Sequence, residues 1–285
     1  MGRFVLPSHI LLLVLGAALL HATWNIIVKG GDNKLFESAL NALGGGLGTL
    51  FILPFLPPLP AACWPFLALS CCCHLTYYIC ISAAYKEVDL SIGYTIMRGC
   101  APLITSIVML CLGQGLSLTS WSGVAILCLG ILALSLDNLK RHANLRGILI
   151  SLRTSFVIAG YTLADGFGAS AGGDGYGVAY ACWIFFLNIF PLHIYVFLRH
   201  GREYLPYLRQ RGGIGIFGGL CGLGSYGIAI WAMTKAPIAM VAALRETSVI
   251  FGMLMAVIFL GEKLTPSRIL AVLLVCCGTM VLKYG

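Results

Sequence analysis

Two arginines and a glutamate lie within apolar stretches of the chain, where charged side chains are unusual. Arg98 lies inside the stretch 90–112, and Arg245 and Glu246 are neighbours inside the stretch 237–260. Ionisable side chains at membrane depth are energetically expensive and usually face a cavity or an ion pathway. Because two guanidinium groups stand against one carboxylate, we expect Arg98 and Arg245 to bind the anionic group of a small polar ligand.

The residues around Arg98 favour this binding role. Tyr94 precedes Arg98 by four positions and therefore shares its helix face. Pro102 lacks the N–H that would bond to the Arg98 carbonyl, so it predicts a kink that leaves this carbonyl beside the guanidinium. The alternative is an arginine bound to neighbouring carbonyls for structural reasons alone.

Glu246 is a candidate proton carrier, because a carboxyl group that is held away from water gains a proton more readily. The alternative is a buried ion pair with Arg98 or Arg153, and both interpretations stay open. Adjacent helix positions point in different directions, so Arg245 and Glu246 do not simply pair with each other. Arg153, in the stretch 146–166, is either a further ligand-binding residue or a side chain that extends to the nearby basic loop.

A polar patch on the first apolar stretch adds further candidates for ligand binding: His21, Trp24 and Asn25. In the second half of the chain, Tyr161 occupies the position that corresponds to Trp24 in the first half. Contacts with a substrate or hydrogen bonds between helices would both explain such residues. Other polar and aromatic residues, including His74, Tyr77, Asn188, His193 and Tyr226, are assigned to packing or to the membrane interface. Asp165 is expected to be hydrated near a helix end.

Motifs for nucleotide-driven or metal-dependent chemistry are absent from the sequence. There is neither a GxxxxGK[ST] phosphate loop nor an HExxH helix. The 12 cysteines lie in or beside apolar stretches without metal-ligand or CxxC spacing, so packing explains them. We therefore expect no enzyme activity, no cofactor and no metal.

The composition indicates that helices in a membrane position these residues. The chain has 285 residues, of which 59% are hydrophobic and only 10% charged, whereas soluble domains are about half apolar and about a quarter charged. The sequence predicts an all-α integral membrane protein with ten transmembrane helices. They are expected at 8–29, 34–55, 63–85, 90–112, 119–137, 146–166, 176–198, 212–234, 237–260 and 267–284.

Basic residues predict the orientation of these helices, because connections rich in Lys and Arg stay in the cytoplasm. The connections after the odd-numbered helices contain Lys29, Lys34, Lys86, Lys140, Arg141, Arg146, Arg199, Arg202, Arg209, Arg211, Lys263 and Arg268. The opposite side contains only Arg3, Lys235 and Lys283. We therefore expect both termini outside the cytoplasm. The net charge of +8 follows from this pattern and does not indicate nucleic-acid binding.

The two halves of the chain share short sequence matches. The segment 112–117, which reads LGQGLS, corresponds to the segment 260–265, which reads LGEKLT. The same offset relates Gly130 to Gly278. A shift of one residue relates Arg98 to Arg245, so the two deep arginines occupy similar places in the two halves.

An odd number of helices in each half requires the second half to enter the membrane in the opposite direction. The positions of the basic connections invert in the same way. We therefore predict two inverted five-helix repeats, at 1–142 and 143–285, with a ligand site between them.

Three groups of residues carry a resemblance to a known family: His21–Asn25 with Lys29, the stretch Tyr94–Pro102, and the paired LGQ and LGE helix ends. In these residues, the chain resembles the EamA-domain family of the drug/metabolite transporter superfamily. This resemblance implies ten helices in two EamA-like five-helix repeats. It also implies the transport of small metabolites, driven by protons or by another gradient.

Together these features predict a secondary transporter that works without ATP in the cell (inner) membrane, as a multi-pass protein. It is expected to move a small polar metabolite, anionic or zwitterionic, by alternating access at a midplane site between the repeats. A flippase for a lipid-linked small group and a membrane-embedded enzyme are the alternatives. The expected partners are a small-molecule substrate and the lipid bilayer, without nucleic acid. Monomer and homodimer both remain open.

Overall fold

The structure is a computed structural model that describes residues 5–87, 90–134, 144–260 and 265–284. The described residues form α-helices joined by short turns, with 3-10 turns at Leu53–Phe55 and Ala61–Cys63. In chain order the helices are α1 (Ser8–Gly30), α2 (Lys34–Ile52), α3 (Trp64–Glu87), α4 (Leu90–Cys111), α5 (Leu118–Ala133), α6 (Leu145–Ala171), α7 (Gly177–Met233), α8 (Ile238–Arg245), α9 (Ser248–Leu260) and α10 (Pro266–Tyr284).

Polar residues at the helix starts explain several of these boundaries. The Asn33 side chain accepts hydrogen bonds from the backbone N–H groups of Leu35 and Phe36, at 3.1 and 3.2 Å, and so caps α2. Ser117 caps α5 in the same way, and Asn144 caps α6. These side chains satisfy N–H groups that have no partner within the helix.

Helix α7 is far longer than a bilayer is thick, and it folds back on itself. At about 1.5 Å per residue a straight helix of this length would span about 85 Å, against a hydrocarbon layer of about 30 Å. The helix is interrupted at His200, where φ is −139° and ψ is 23°. The Phe185 and Tyr226 rings lie 6.1 Å apart, and His193 Nε2 lies 3.2 Å from the Tyr204 hydroxyl. These contacts make the arms 177–199 and 201–233 antiparallel.

Helices α5 and α10 form a close antiparallel contact, which we call the α5–α10 seam. A Cβ atom at Gly278 would lie 2.7 Å from the Leu127 nitrogen. A Cβ atom at Gly130 would lie 3.0 Å from the Val275 nitrogen. Only glycine allows the two backbones to approach this closely, as in tightly packed membrane helices.

Many large apolar side chains of the described residues lie outside, whereas a few charged ones are buried inside. Leu118, Phe55 and Leu198 are among the large apolar side chains that are more than 80% exposed. Arg98 and Arg245 are buried, at 6% and 7% exposure. This distribution fits lipid as the surrounding medium. Six described helices are long and apolar enough to cross a membrane, and three shorter apolar helices accompany them.

The apolar segment 238–260, which precedes α10, is broken in its middle. Helix α8 ends at Arg245, and α9 begins at Ser248. Glu246 and Thr247 form the turn between them, and the Thr247 hydroxyl donates to the Leu244 carbonyl at 2.8 Å. Helix α4, by contrast, continues through Pro102. The helix break therefore lies next to Arg245, in the second half of the chain, and not next to Arg98.

Candidate functional site

Arg98 lies at the centre of a buried polar cluster, which we call the arginine cluster. Its Nε atom lies 2.7 Å from Glu246 Oε2, and its Nη2 atom lies 2.9 Å from His21 Nε2. The same Nη2 atom donates to the Ser248 hydroxyl at 3.2 Å. Helix α4 therefore presents its guanidinium to α1 and to the turn between α8 and α9. Of the two alternatives for Glu246, the ion pair with Arg98 is the one observed.

His21 faces two groups that can only donate hydrogen bonds. Arg98 approaches its Nε2 atom, and the Trp24 indole nitrogen lies 3.2 Å from its Nδ1 atom. A neutral imidazole has one ring nitrogen that accepts and one that donates. The shorter contact assigns the accepting role to Nε2, so the proton lies on Nδ1, facing the indole. His21 can therefore satisfy Arg98 or Trp24, but not both together.

Arg245 ends α8 beside an aromatic ring. Its guanidinium carbon lies 4.7 Å from the centroid of the Tyr226 ring, which is a favourable distance for a cation–π contact. A positive side chain in the last turn of a helix also complements the helix dipole. Arg245 is thus held by its own helix and by the second arm of α7.

Arg98, Arg245 and Glu246 line one small central cavity. The other lining residues are Ala101, Pro102, Thr105, Ile158, Tyr161, Thr162 and Ala242. The cavity volume is about 10 Å³, which is room for roughly one water molecule. Helices α4, α6 and α8 therefore close around the arginine cluster in this conformation.

A second polar cluster surrounds Asp165 on α6, and we call it the aspartate cluster. Asp165 is fully buried; the Tyr226 hydroxyl donates to its Oδ2 atom, and the Tyr180 hydroxyl lies 3.4 Å from Oδ1. His74 of α3 stacks on Tyr161, with ring centroids 4.4 Å apart. Since Tyr226 also contacts Arg245, and Tyr161 also lines the cavity, the two clusters are continuous.

The structure brings most of the predicted site residues together. Arg98, Arg245, Glu246, His21 and Tyr161 form or border the arginine cluster. Trp24 and Asn25 adjoin it through His21, and the Asn25 amide donates to the His21 carbonyl at 2.8 Å.

Two predicted residues stand apart from this group. Arg153 is an exposed residue of α6 whose Nη2 atom lies 3.6 Å from Cys80 Sγ, so the structure does not bring it to the central cavity. Tyr94 belongs to α4, but its side chain lies outside the described part of the structure.

The sequence analysis missed the aspartate cluster. The expectation that Asp165 is hydrated near a helix end is wrong, because α6 continues to Ala171 and the Asp165 side chain is fully buried. His74 and Tyr226, which were assigned to packing or to the membrane interface, also belong to this cluster. The available signal was the four-residue spacing of Tyr161 and Asp165, which puts both on one helix face.

Ion pairs tie the helices together at both ends of the molecule. Arg211 of α7 pairs with the buried Glu37 of α2, and the Tyr207 hydroxyl donates to the same carboxylate at 2.6 Å. At the other end, Lys235 Nζ lies 2.6 Å from Asp174 Oδ1. The hydrogen bond and the positive charge of Lys235 lower the pKa of Asp174, which is exposed in the turn between α6 and α7.

The described residues offer no arrangement for metal binding, since no group of three His, Cys, Asp or Glu side chains converges among them. The sequence also contains a GxSxG pattern at Gly168–Gly172. It lies at the end of α6, and the Ser170 hydroxyl donates to the Gly166 carbonyl at 2.8 Å. That geometry differs from the strand-to-helix turn that exposes the serine of hydrolases.

The fold and the buried charges define a multi-pass, all-α membrane protein. Residues 145–284 match the model of the EamA-like transporter family. This second half of the chain therefore corresponds to the EamA-like transporter family, whose members are generally transporters rather than enzymes. The resemblance drawn from the sequence is confirmed.

Solved structures share the fold along nearly the whole chain. One of them, described only as a crystal structure of a protein, superposes with a TM-score of 0.76 at 14% sequence identity. The match covers 97% of this chain and 96% of that one. At this identity the similarity concerns the fold alone. No curated protein matches the sequence.

Proposed function

We propose that the protein is a secondary transporter for a small anionic or zwitterionic metabolite, which binds at the arginine cluster. The observation that carries this proposal is the position of Arg98. Its guanidinium is buried in the bundle, borders the central cavity and is held by a carboxylate that a substrate anion can replace. Arg is suited to such exchange because it stays charged and binds carboxylates or phosphates through two parallel hydrogen bonds.

The charge of the cluster supports an anionic substrate. Arg98 and Arg245 are both positive, Glu246 supplies one negative charge, and His21 is neutral in the tautomer that accepts from Arg98. The described cluster is therefore left with one excess positive charge. A substrate with one negative charge would be stabilised by this net positive charge.

The small cavity supports alternating access. A volume of about 10 Å³ does not hold a metabolite, so the helices must separate before a substrate enters. Ion pairs are present at both ends, between Arg211 and Glu37 and between Lys235 and Asp174. This conformation corresponds to the closed intermediate between two open states, and each opening would break one of these pairs.

We further propose that the chain crosses the cell membrane ten times, as two inverted repeats at 1–142 and 143–285. The apolar helices supply ten crossings when the two arms of α7 are counted separately and α8 and α9 together. Helix α1, the first crossing, packs on the second arm of α7, which is the eighth. Helix α6, the sixth crossing, packs on α3, which is the third. Each pair therefore joins the first helix of one half to the third helix of the other.

Reciprocal contacts in the α5–α10 seam support the inverted repeat most directly. Gly130 faces Val275, and Gly278 faces Leu127. The differences 278 − 130 and 275 − 127 are both 148, which is the offset between the matching sequence segments. A two-fold axis through the seam would produce these paired contacts.

Replacement of Arg98 tests the proposed function. Arg98→Ala should abolish the uptake of labelled anions such as pyruvate, glycerol 3-phosphate or glutamate by proteoliposomes, while the protein still inserts. Arg98→Lys keeps a charge but loses the planar guanidinium, so partial uptake is expected. The matched control is Arg202→Ala, which removes an exposed arginine from α7.

The thermal midpoint separates binding from structure. Loss of uptake with a preserved midpoint supports the binding role. Unchanged uptake in Arg98→Ala contradicts it. Removal of one partner from a purely structural buried ion pair costs about 3–5 kcal/mol, so a collapsed midpoint with little folded protein would favour the structural alternative.

A further inference from the structure

Asp165 is a fully buried carboxyl group whose hydrogen-bond partners are neutral. The Tyr226 hydroxyl donates to Oδ2, and the Tyr180 hydroxyl faces Oδ1 at 3.4 Å. Among the described residues, the ion pairs with carboxylates involve Glu37, Asp174, Glu203 and Glu246 but not Asp165. An isolated carboxylate in such surroundings is strongly unfavourable, and a bound proton removes the charge.

The hydrogen bonds around Asp165 can accommodate this proton. The Tyr180 hydroxyl has two acceptors within reach, because the Ala164 carbonyl lies 3.5 Å away as well as Asp165 Oδ1 at 3.4 Å. With a proton on Oδ1, Asp165 donates to the Tyr180 oxygen and Tyr180 donates to Ala164. Without it, Tyr180 donates to Asp165. Both protonation states are therefore satisfied by rotation of one hydroxyl hydrogen.

Tyr226 connects Asp165 to the arginine cluster. Its hydroxyl binds the Asp165 carboxyl, and its ring faces the Arg245 guanidinium with 4.7 Å between the guanidinium carbon and the ring centroid. A change of charge at Asp165 therefore acts on Arg245 in two ways: through its electric field and through the position of the Tyr226 side chain.

We propose that Asp165 is a protonation site that couples the binding of one proton to the binding of the substrate anion, with Tyr226 as the link to Arg245. This inference rests on the proposed function. Asp165 takes a proton from water when the cavity is open, keeps it while the helices close, and returns it to water after they open on the other side. No bond other than this O–H bond forms or breaks.

Charge balance explains the direction of the coupling. With Asp165 ionised, the excess positive charge of the arginine cluster has an internal counter-charge. With Asp165 protonated, a substrate anion must supply it. Binding of the proton therefore raises the affinity for the anion, and binding of the anion raises the affinity for the proton by the same factor. For coupled sites of this kind the factor is of the order of tenfold. Such coupling moves both in the same direction across the membrane.

Polar and titratable groups from three helices surround Asp165. Helix α3 presents His74, Ser70, Cys71 and Cys73, while α7 presents Tyr180 and Tyr226, and α6 presents Tyr161. Of these, His74 is the one imidazole. Its Nδ1 atom lies 2.9 Å from the Ser70 carbonyl, so that atom holds a hydrogen.

Infrared spectroscopy of the reconstituted protein tests the protonation without any substrate. The wild type should show the carbonyl stretching band of a buried protonated carboxyl group, and the band should grow as the pH falls. Asp165→Asn should lose this band, whereas Asp174→Asn, which alters an exposed aspartate, should keep it. Absence of the band in the wild type, or its persistence in Asp165→Asn, overturns the proposal, and its loss in Glu246→Gln instead would assign the proton to Glu246.

Anion binding tests the coupling. Pyruvate, glycerol 3-phosphate and glutamate serve as probes, and the affinity of whichever binds should rise about tenfold as the pH falls in the wild type. Asp165→Asn should bind with a pH-independent affinity and exchange substrate without net proton uptake. Tyr226→Phe keeps the carboxyl band but should lose most of the pH dependence.

The two experiments separate the two proposals. Failure of every probe to bind, together with an intact infrared result, refutes the anionic substrate and leaves the protonation site standing. Binding that retains its full pH dependence in Asp165→Asn refutes the coupling while the role of Arg98 stands. If Asp165→Asn does not fold, the Tyr226→Phe result decides the coupling.

Discussion

Arg98 contacts more groups than it can retain while it binds a substrate. Glu246, His21 and Ser248 all take part of its guanidinium in the closed conformation. A substrate carboxylate would replace Glu246 and draw the guanidinium away from His21. His21 would then be free to change tautomer and accept from Trp24, whose indole N–H lies 3.2 Å away. On the proposed function, substrate binding at one arginine would thus rearrange contacts on three helices.

Glu246→Gln tests the exchange between carboxylate and substrate. Without substrate, the variant leaves Arg98 buried without its counter-charge, so we expect a loss of about 3–5 kcal/mol in stability. Arg98→Ala differs, because a proton can neutralise the carboxylate that it leaves behind, whereas an arginine stays charged. An anionic probe such as pyruvate or glutamate should restore much of this loss, because it supplies the missing charge. Thermal unfolding in detergent, with and without the probe, measures both effects.

The control for this experiment is Glu203→Gln, which alters a glutamate whose side chain is 74% exposed. It should change neither stability nor the response to the probe. A Glu246→Gln protein that is as stable as the wild type, or whose unfolding ignores every anion, would contradict the exchange.

The sequence could predict part of the site, because a charge within an apolar stretch is visible without a structure. It could not predict that Asp165 joins the site. The residues that bury Asp165 come from α3 and from both arms of α7, far apart in the chain. Burial of a residue depends on such long-range packing, and hydropathy near a helix end gives no information about it.

At the scale of helices, hydropathy located the apolar helices but not the course of the backbone between them. The predicted helices 176–198 and 212–234 are one helix interrupted at His200, because the polar residues between them remain helical outside the apolar layer. Conversely, the predicted helix 237–260 is two helices. The turn at Glu246 and Thr247 contains neither glycine nor proline, so no local signal announced it.

The contact between α2 and the second arm of α7 depends on glycine. A Cβ atom at Gly219 would overlap the Asn41 carbonyl oxygen and the backbone of Gly44 and Gly45. Gly219→Ala should therefore force the helices apart and destabilise the protein by about 1–3 kcal/mol, as overpacking does. The shift of the thermal midpoint measures this loss.

Gly213→Ala is the matched control on the same helix. No atom lies within 4 Å of the position that its Cβ would occupy. Since alanine favours helices over glycine by up to about 1 kcal/mol, this variant should be neutral or slightly stabilising. Equal midpoints for the two variants would show that the close approach of α2 and α7 is not a source of stability.

At the scale of the whole molecule, the charge pattern predicts the orientation in the membrane. With the ten proposed crossings, twelve basic residues would lie on one side and three on the other, so both termini should face away from the cytoplasm. A reporter fused after Gly285 that is active only outside the cytoplasm should be active. A fusion at Arg202, in the basic region next to the α7 interruption, should be inactive.

The opposite pattern of reporter activity would overturn the orientation without affecting the fold. It would also reverse the side on which each ion pair lies, so that Arg211 and Glu37 would close the outer rather than the cytoplasmic entrance.

The α5–α10 seam has a consequence for the history of the chain. Its reciprocal glycine contacts are those that two identical half-length subunits would make if one entered the membrane upside down relative to the other. Such an ancestor would need nearly equal numbers of basic residues on its two sides in order to insert both ways. If the chain descends from two such copies, their fusion would have let each half fix its own direction and diverge, so that Asp165 and Glu246 could arise in one half alone.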